Sequence, residues 1–259
     1  MESDSMPVTD ASIQLAIFEK RSLVSPPIPN QIIDLTTNAA SDDLLSNSLP
    51  SEKKATSVVV TKRLPSEKVI LGVMASGSGS NFEAIAQSIS RGELDAKIAV
   101  VIYNNPGAKV VERANRLNIP AILLDHRQFD SRGALDDAIA HQLKVHGVNW
   151  VIMAGWMRRV TERLLQAFPK RILNIHPSLL PSFPGIRSVE QALNAGVKIT
   201  GCSVHFVELV VDSGPIVMQA AVPVLPDDTV ESLQARIQVQ EHRIFPAAIA
   251  LAARLSHPD

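Results

Sequence analysis

The chain has 259 residues, 46% of them hydrophobic and 20% charged, a globular composition long enough for one large domain or two small ones. A net charge of −1 and a pI of about 6.7 give no global basic field to draw it to nucleic acid or membrane. The single cysteine, Cys202, excludes an internal disulfide framework and a cysteine-built zinc site, and no apolar run approaches the ~20 residues needed to span a bilayer.

Lone-cysteine usage fits a reducing compartment, so a cytoplasmic location is expected. The acidic start Met1-Glu2-Ser3-Asp4-Ser5 is unlike a secretory signal or a transit peptide. Residues 1–65 are rich in Ser, Pro, Asn, Asp and Lys, with Pro26-Pro27-Ile28-Pro29 and Ser51-Glu52-Lys53-Lys54, and are expected to form a disordered N-terminal extension. Within them, Ile13 to Phe18 has the spacing of a transient amphipathic turn or a docking peptide. The folded domain is expected over 66–259.

From Lys68 strands and helices alternate. Val69 to Ala75 is an apolar run suited to a strand buried on both faces. Ser76 to Ser80 is a Gly/Ser loop, and Asn81 to Arg91 has helical spacing with Phe82, Ile85 and Ile89 on one face. A strand over Lys97 to Tyr103, a helix over Val110 to Leu117 closed by Asn118, and a strand over Ala121 to Leu124 follow. Ser131 is a natural N-cap for a helix reaching His146. Further strands are expected at Trp150 to Met153, Ile172 to Ile175, Gly201 to Val207 and Ile216 to Val224. A C-terminal helix from Thr229 to Leu255 is expected to break at Pro246. This order predicts an α/β fold, a mainly parallel sheet with helices on both faces and its ligands at the carboxyl ends of the strands.

The loop Gly77-Ser78-Gly79-Ser80-Asn81 follows the first strand and opens a helix. Glycines allow a tight turn and close anion approach, and a helix N-terminus adds free N–H groups. The loop lacks the lysine of a nucleoside-triphosphate loop, and Phe82 stands where a dinucleotide loop needs a small residue. A smaller phosphorylated ligand is expected.

Asn174-Ile175-His176-Pro177-Ser178-Leu179-Leu180-Pro181 carries the chemistry. Asn174 and His176 are two residues apart on a strand end, hence on one face, and the prolines end the strand and stiffen the loop. Asn174 can donate an amide N–H to a developing oxyanion, and His176 can add a donor and a charge. Asp212, in Val211-Asp212-Ser213-Gly214-Pro215, can hold and charge-stabilise that histidine. No serine sits on a nucleophile elbow, so direct attack of an external amine on an activated acyl group fits better than acyl-enzyme chemistry. His205 and Cys202 lie on a buried strand, where a structural or supporting role is expected for the histidine and none as nucleophile for the thiol. His126, His141, His146, His242 and His257 show no metal-ligand spacing, and no metal is expected. Gln238 to Glu241 offer polar groups on the last helix, or a solvated face.

Taken together these segments resemble the phosphoribosylglycinamide formyltransferases, folate-dependent enzymes of purine synthesis. The matching words, spread over about Lys68 to Leu255, are Ala75-Ser76-Gly77-Ser78-Gly79-Ser80-Asn81-Phe82, Ala154-Gly155-Trp156-Met157-Arg158, the Asn174–Pro181 run, Gly201-Cys202-Ser203-Val204-His205-Phe206-Val207, Asp212-Ser213-Gly214-Pro215 and Gln238-Val239-Gln240-Glu241-His242. The resemblance implies a Rossmann-like formyltransferase fold, 10-formyltetrahydrofolate as co-substrate and glycinamide ribonucleotide as acceptor, in a monomer or homodimer. It assigns Asn174, His176 and Asp212 to catalysis and Gly79, Ser80 and Asn81 to the substrate phosphate. Gln238 and Glu241 go to the glycinamide substrate, and Arg132, Met157, Arg158, Arg159, Val160, Asn174, Val207 and Val211 to the folate.

Two departures stand out. Pro184-Gly185-Ile186-Arg187-Ser188-Val189-Glu190 lacks the histidine often found after this turn, and Arg159 replaces a usually apolar residue, which suggests a preference for polyglutamylated folate. Other readings are a 10-formyltetrahydrofolate hydrolase and a non-catalytic sugar-phosphate-binding module. Hydrolases of this kind usually carry a regulatory N-terminal domain, for which residues 1–65 are too rich in Pro and Ser, and Pro177 matches the transferases better. A formyltransferase acting on initiator tRNA would need an added C-terminal RNA-binding domain, which is not expected after Leu255.

Overall fold

The computed structural model describes residues 68–256, so the expected extension and its Ile13–Phe18 stretch lie outside the described residues. Its elements are β1 (Val69–Ala75), α1 (Ser80–Ser90), β2 (Ala96–Tyr103), α2 (Val110–Arg116), β3 (Ala121–Leu123), α3 (Arg132–Val145), β4 (Trp150–Met153), α4 (Glu162–Ala167), β5 (Ile172–His176), α5 (Ser188–Asn194), β6 (Ile199–Phe206), β7 (Ile216–Pro223) and α6 (Val230–Leu255). The sheet runs β3-β2-β1-β4-β5-β6-β7. From β3 to β5 all neighbours are parallel, whereas β5–β6 and β6–β7 are antiparallel.

Side-chain alternation divides the interior into two layers. Leu71, Val73, Trp150, Ile152, Leu173 and Ile175 pack toward α1 and α6, where Phe82, Ile85, Phe245 and Ile249 meet them. Met74, Val151, Met153 and Ile172 face α3 and α4, with Leu135, Ile139, Leu143 and Leu164. Helices therefore cover both faces, as the βα alternation predicts.

Strand β1 has β2 on one side and β4 on the other. The chain order reverses there, so the loops leaving β1 and β4 diverge and open a crevice at their carboxyl ends. Two hydrogen bonds hold the two loops together at their base: Ser76 N donates to Gly155 O at 3.0 Å, and Met157 N donates to the side-chain Ser76 Oγ at 2.9 Å.

Helix α6 does not break at Pro246 but continues through it to Leu255. Phe245, Pro246, Ala248 and Ile249 are all buried against the sheet, and that packing outweighs the ~3 kcal/mol that an interior proline costs. Thr229 caps the helix: its Oγ1 accepts from Ser232 N at 3.2 Å, while Ser232 Oγ accepts from Thr229 N at 2.9 Å. Ser131 caps α3 as expected, accepting from Ala134 N at 3.1 Å.

Candidate active site

The crevice at the carboxyl ends of β1, β4 and β5 is a cleft of about 880 Å³. One end is the Ser76–Asn81 loop, the other the ends of β5 and β6, and residues 207–212 form part of its wall.

At the first end, Gly79 is the N-cap of α1 with φ 73°, and a Cβ there would lie 2.5 Å from Val110 Cγ2. Only glycine fits a left-handed turn pressed against α2. Ser80 and Asn81 begin the helix, and α6 reaches across to both. Gln238 Nε2 donates to Ser80 Oγ at 2.8 Å, and Asn81 Nδ2 donates to Glu241 Oε2 at 2.8 Å. Gln238 and Glu241 stand three residues apart on one helical face. Glu241 is only 5% exposed, so it is not part of a solvated face, and burial pushes its carboxyl up.

At the other end, the period of β5 puts Asn174 and His176 on the Ile172 face, beyond the part that α3 and α4 cover. The antiparallel register sets Asn174 opposite His205 and His176 opposite Ser203. His205 Nε2 lies 3.1 Å from Asn174 Nδ2 and 3.6 Å from Asp212 Oδ1, while its Nδ1 faces the Phe206 carbonyl at 2.8 Å. With its hydrogen on Nδ1, toward the Phe206 carbonyl, His205 accepts at Nε2 from the Asn174 amide. Asn174 is thereby held by its neighbour, and one amide hydrogen stays free to donate.

Both His176 nitrogens face oxygens, Nε2 the Phe183 carbonyl at 2.9 Å and Nδ1 the Asp212 Oδ2 at 3.4 Å. The ring is thus held between a backbone carbonyl and the Asp212 carboxylate. Asp212 also accepts from Gly185 N at 2.8 Å. Burial alone would push the Asp212 carboxyl up, but the His205 contact, the Gly185 N–H and the charge of His176 together hold it below the ordinary carboxylate range. Asp212 itself has φ 54°, and Phe183 (54°) and Arg187 (57°) share that left-handed conformation in the facing loop. Strained backbone of this kind persists only where the surroundings over-determine it. Gly214 is required at the loop base, since a Cβ would lie 1.9 Å from Phe206 O.

Ser203 Oγ donates to Ser178 O at 2.7 Å and accepts from Leu180 N at 3.0 Å, which ties the Pro177–Pro181 segment to β6. Cys202 points the other way into the core, where burial pushes its thiol up to about 12, and it has no nucleophilic character.

The cleft wall includes Met157, Arg158, Arg159, Val160, Val207 and Val211. Met157 is 78% exposed at the rim. Arg132, by contrast, is the exposed first residue of α3 and does not line the cleft. One turn along, Asp136 accepts from Thr161 N and so ties α3 to the segment that carries Arg158 and Arg159. His205 is the residue that reading β6 alone under-weighted; its place beside Asn174 follows from the β5–β6 pairing. Among the described residues no group of His, Cys, Asp and Glu is arranged to hold a metal ion, and no helix is long and apolar enough to cross a membrane.

The raised Glu241 carboxyl has a stability consequence. A carboxyl that binds its proton more tightly when folded stabilises fully below its ordinary value of 4.5 and loses that contribution as pH rises through the folded value. Glu241→Gln keeps an acceptor for Asn81 but does not titrate. The unfolding free energy of the native chain, measured in urea, should therefore fall relative to that of Glu241→Gln as pH rises above 4.5. A pH-independent difference would show that the carboxyl is not perturbed.

Residues 68–249 match the family model described as Formyl transferase. A phosphoribosylglycinamide formyltransferase of Bacillus subtilis (strain 168) is 44% identical over 177 residues, 68% of this chain and 91% of that protein. The human trifunctional purine biosynthetic protein adenosine-3 is 42% identical over 187 residues, 72% of this chain but 18% of that longer protein. The crystal structure of glycinamide ribonucleotide transformylase 1 from Symbiobacterium toebii superposes with a TM-score of 0.71 at 50% identity, covering 72% of this chain and 88% of that one. The chain belongs to the formyl transferase family, among the phosphoribosylglycinamide formyltransferases.

Proposed function

We infer that the chain transfers the formyl group of 10-formyltetrahydrofolate to the amine of glycinamide ribonucleotide, a step of de novo purine synthesis. The observation that carries this reading is a single cleft with the Gly79–Asn81 loop at one end and Asn174, His176 and Asp212 at the other. An acceptor anchored by its phosphate presents its amine at the far end. The exposed apolar rim at Met157 and Leu209 suits a flat ring system, and Arg158 and Arg159 suit its carboxylates. Loss of formyl to water instead of the amine gives no task to the phosphate loop, so transfer is the better reading.

Formyl-folate supplies the formyl carbon. The acceptor nitrogen forms a bond to it and the bond to the folate nitrogen breaks. Asn174 donates its free amide hydrogen to the oxygen that becomes negative, and His176 offsets that charge. Asp212, held as a carboxylate, accepts the proton leaving the amine and passes it, through a bound water, to the departing folate nitrogen. Glu241 and Gln238 position the acceptor behind its phosphate. We propose a monomer or a homodimer, and we place the enzyme in the cytoplasm.

Tetrahydrofolate release should depend on glycinamide ribonucleotide and vanish in His176→Ala; equal release without the acceptor would make the protein a hydrolase. An oxyanion donor is worth ~3 kcal/mol, so Asn174→Ala should lower turnover about a hundredfold. Arg159 lines the cleft without an acidic partner among the described residues. Arg159→Leu should weaken polyglutamylated folate roughly two- to fivefold and leave the monoglutamate unchanged. Equal affinity of the native enzyme for both folates would remove that role.

A further inference from the structure

We propose that Arg113, which does not line the cleft, is a positioning residue that sets the affinity for the phosphorylated substrate by orienting the phosphate loop. The role rests on the acceptor reading above and concerns a group none of the site assignments includes.

Three consecutive loop carbonyls are each tied to the stretch between Asn105 and Arg113. Ser76 O accepts from Asn105 Nδ2 at 2.8 Å, Gly77 O from Val110 N at 3.2 Å, and Ser78 O from Arg113 Nε at 2.8 Å. In a planar trans peptide the following N–H points opposite to the carbonyl. Tying these carbonyls to the segment around α2 therefore turns the N–H groups of Gly77, Ser78 and Gly79 the other way. All three residues line the cleft. Each of these amides is turned away from the group that holds its peptide carbonyl and left available to an anion. Arg113 holds the last carbonyl, the one whose partner amide belongs to Gly79 at the start of α1.

The other arm of the same guanidinium pairs with Glu83, in the first turn of α1. Arg116 Nη2 meets the second Glu83 oxygen at 2.8 Å. A bare carboxylate one turn from the loop would repel a phosphate dianion. Arg113 thus combines a geometric role, through Ser78 O, with an electrostatic one, through Glu83. The two are separable by mutation.

The experiment compares the full chain with Arg113→Ala, Arg113→Lys, Glu83→Gln and the Glu83→Gln/Arg113→Ala double variant. The readouts are inorganic phosphate binding by calorimetry, KM for each substrate, kcat and Tm. Arg113→Ala should weaken phosphate and raise the acceptor KM about tenfold, the effect of losing a charge-assisted hydrogen bond. The formyl-folate KM and kcat should stay near their native values. Lysine, which can still reach Ser78 O, should restore part of the loss. Glu83→Gln should have little effect, and the double variant should remain weak. Recovery of phosphate affinity in the double variant would reduce Arg113 to a charge screen and overturn the proposal. So would an unchanged acceptor KM, or a matching loss of folate affinity and Tm that marked a general structural defect. If Arg113→Ala does not fold, the lysine variant carries the test by its intermediate acceptor KM. Phosphate calorimetry needs no formyl transfer, so a wrong acceptor assignment and a wrong role for Arg113 give different results.

Discussion

The antiparallel pairing of β5 with β6 is the constraint on which the site depends. It places Asn174 against His205 and His176 against Ser203 on one face of the sheet. A one-residue slip of β6 against β5 would turn His205 and Ser203 to the other face, into the layer occupied by Leu173, Ile175, Cys202 and Val204, and part them from Asn174 and His176. Burying that layer under α1 and α6 enforces the register. The geometry of the proposed catalytic cluster is thus a by-product of core packing on the opposite side of the same two strands. Asp212 then completes the cluster from a loop closed at its base by the Phe206 N to Pro215 O bond at 2.9 Å.

The second constraint is the point where the strand order reverses beside β1. It opens the crevice and brings the loop after β1 into the same cleft as the end of β5. Helix α6 spans one side: its apolar face builds the core, while Gln238 and Glu241 fix Ser80 and Asn81. Core packing and the geometry of the Ser80–Asn81 turn are therefore coupled through one helix. A buried carboxylate with a single amide donor is not a stabilising choice, and its presence against the Gly79–Asn81 loop fits the binding task proposed for that loop.

Much of this was legible in the chain because it is local. The apolar run of β1, its glycine turn and the Asn-Ile-His-Pro word each carry their meaning within a few residues. Asn174 and His176 share a face because strands have a period of two. What was not legible depends on partners distant in sequence. His205 gains its importance from a strand about thirty residues away, and nothing in Gly201–Val207 alone reveals it. Burial of Glu241 depends on the docking of α6 against α1, and periodicity alone leaves it on a solvated face. Helices α4 and α5, six and seven residues long, are too short for their periodicity to stand out. The break expected at Pro246 is overridden by burial. Arg132 fits the family pattern in sequence, yet it stands outside the cleft, next to the tie between Asp136 and Thr161.

The central claim is that one cleft delivers an anchored amine to a formyl carbon held at Asn174 and His176. The most direct test follows that carbon. With a carbon-13 label in the formyl group of 10-formyltetrahydrofolate and glycinamide ribonucleotide present, NMR of a single turnover should find the label in the new amide of the ribonucleotide. Label appearing as free formate, with the ribonucleotide unmodified, would contradict the account.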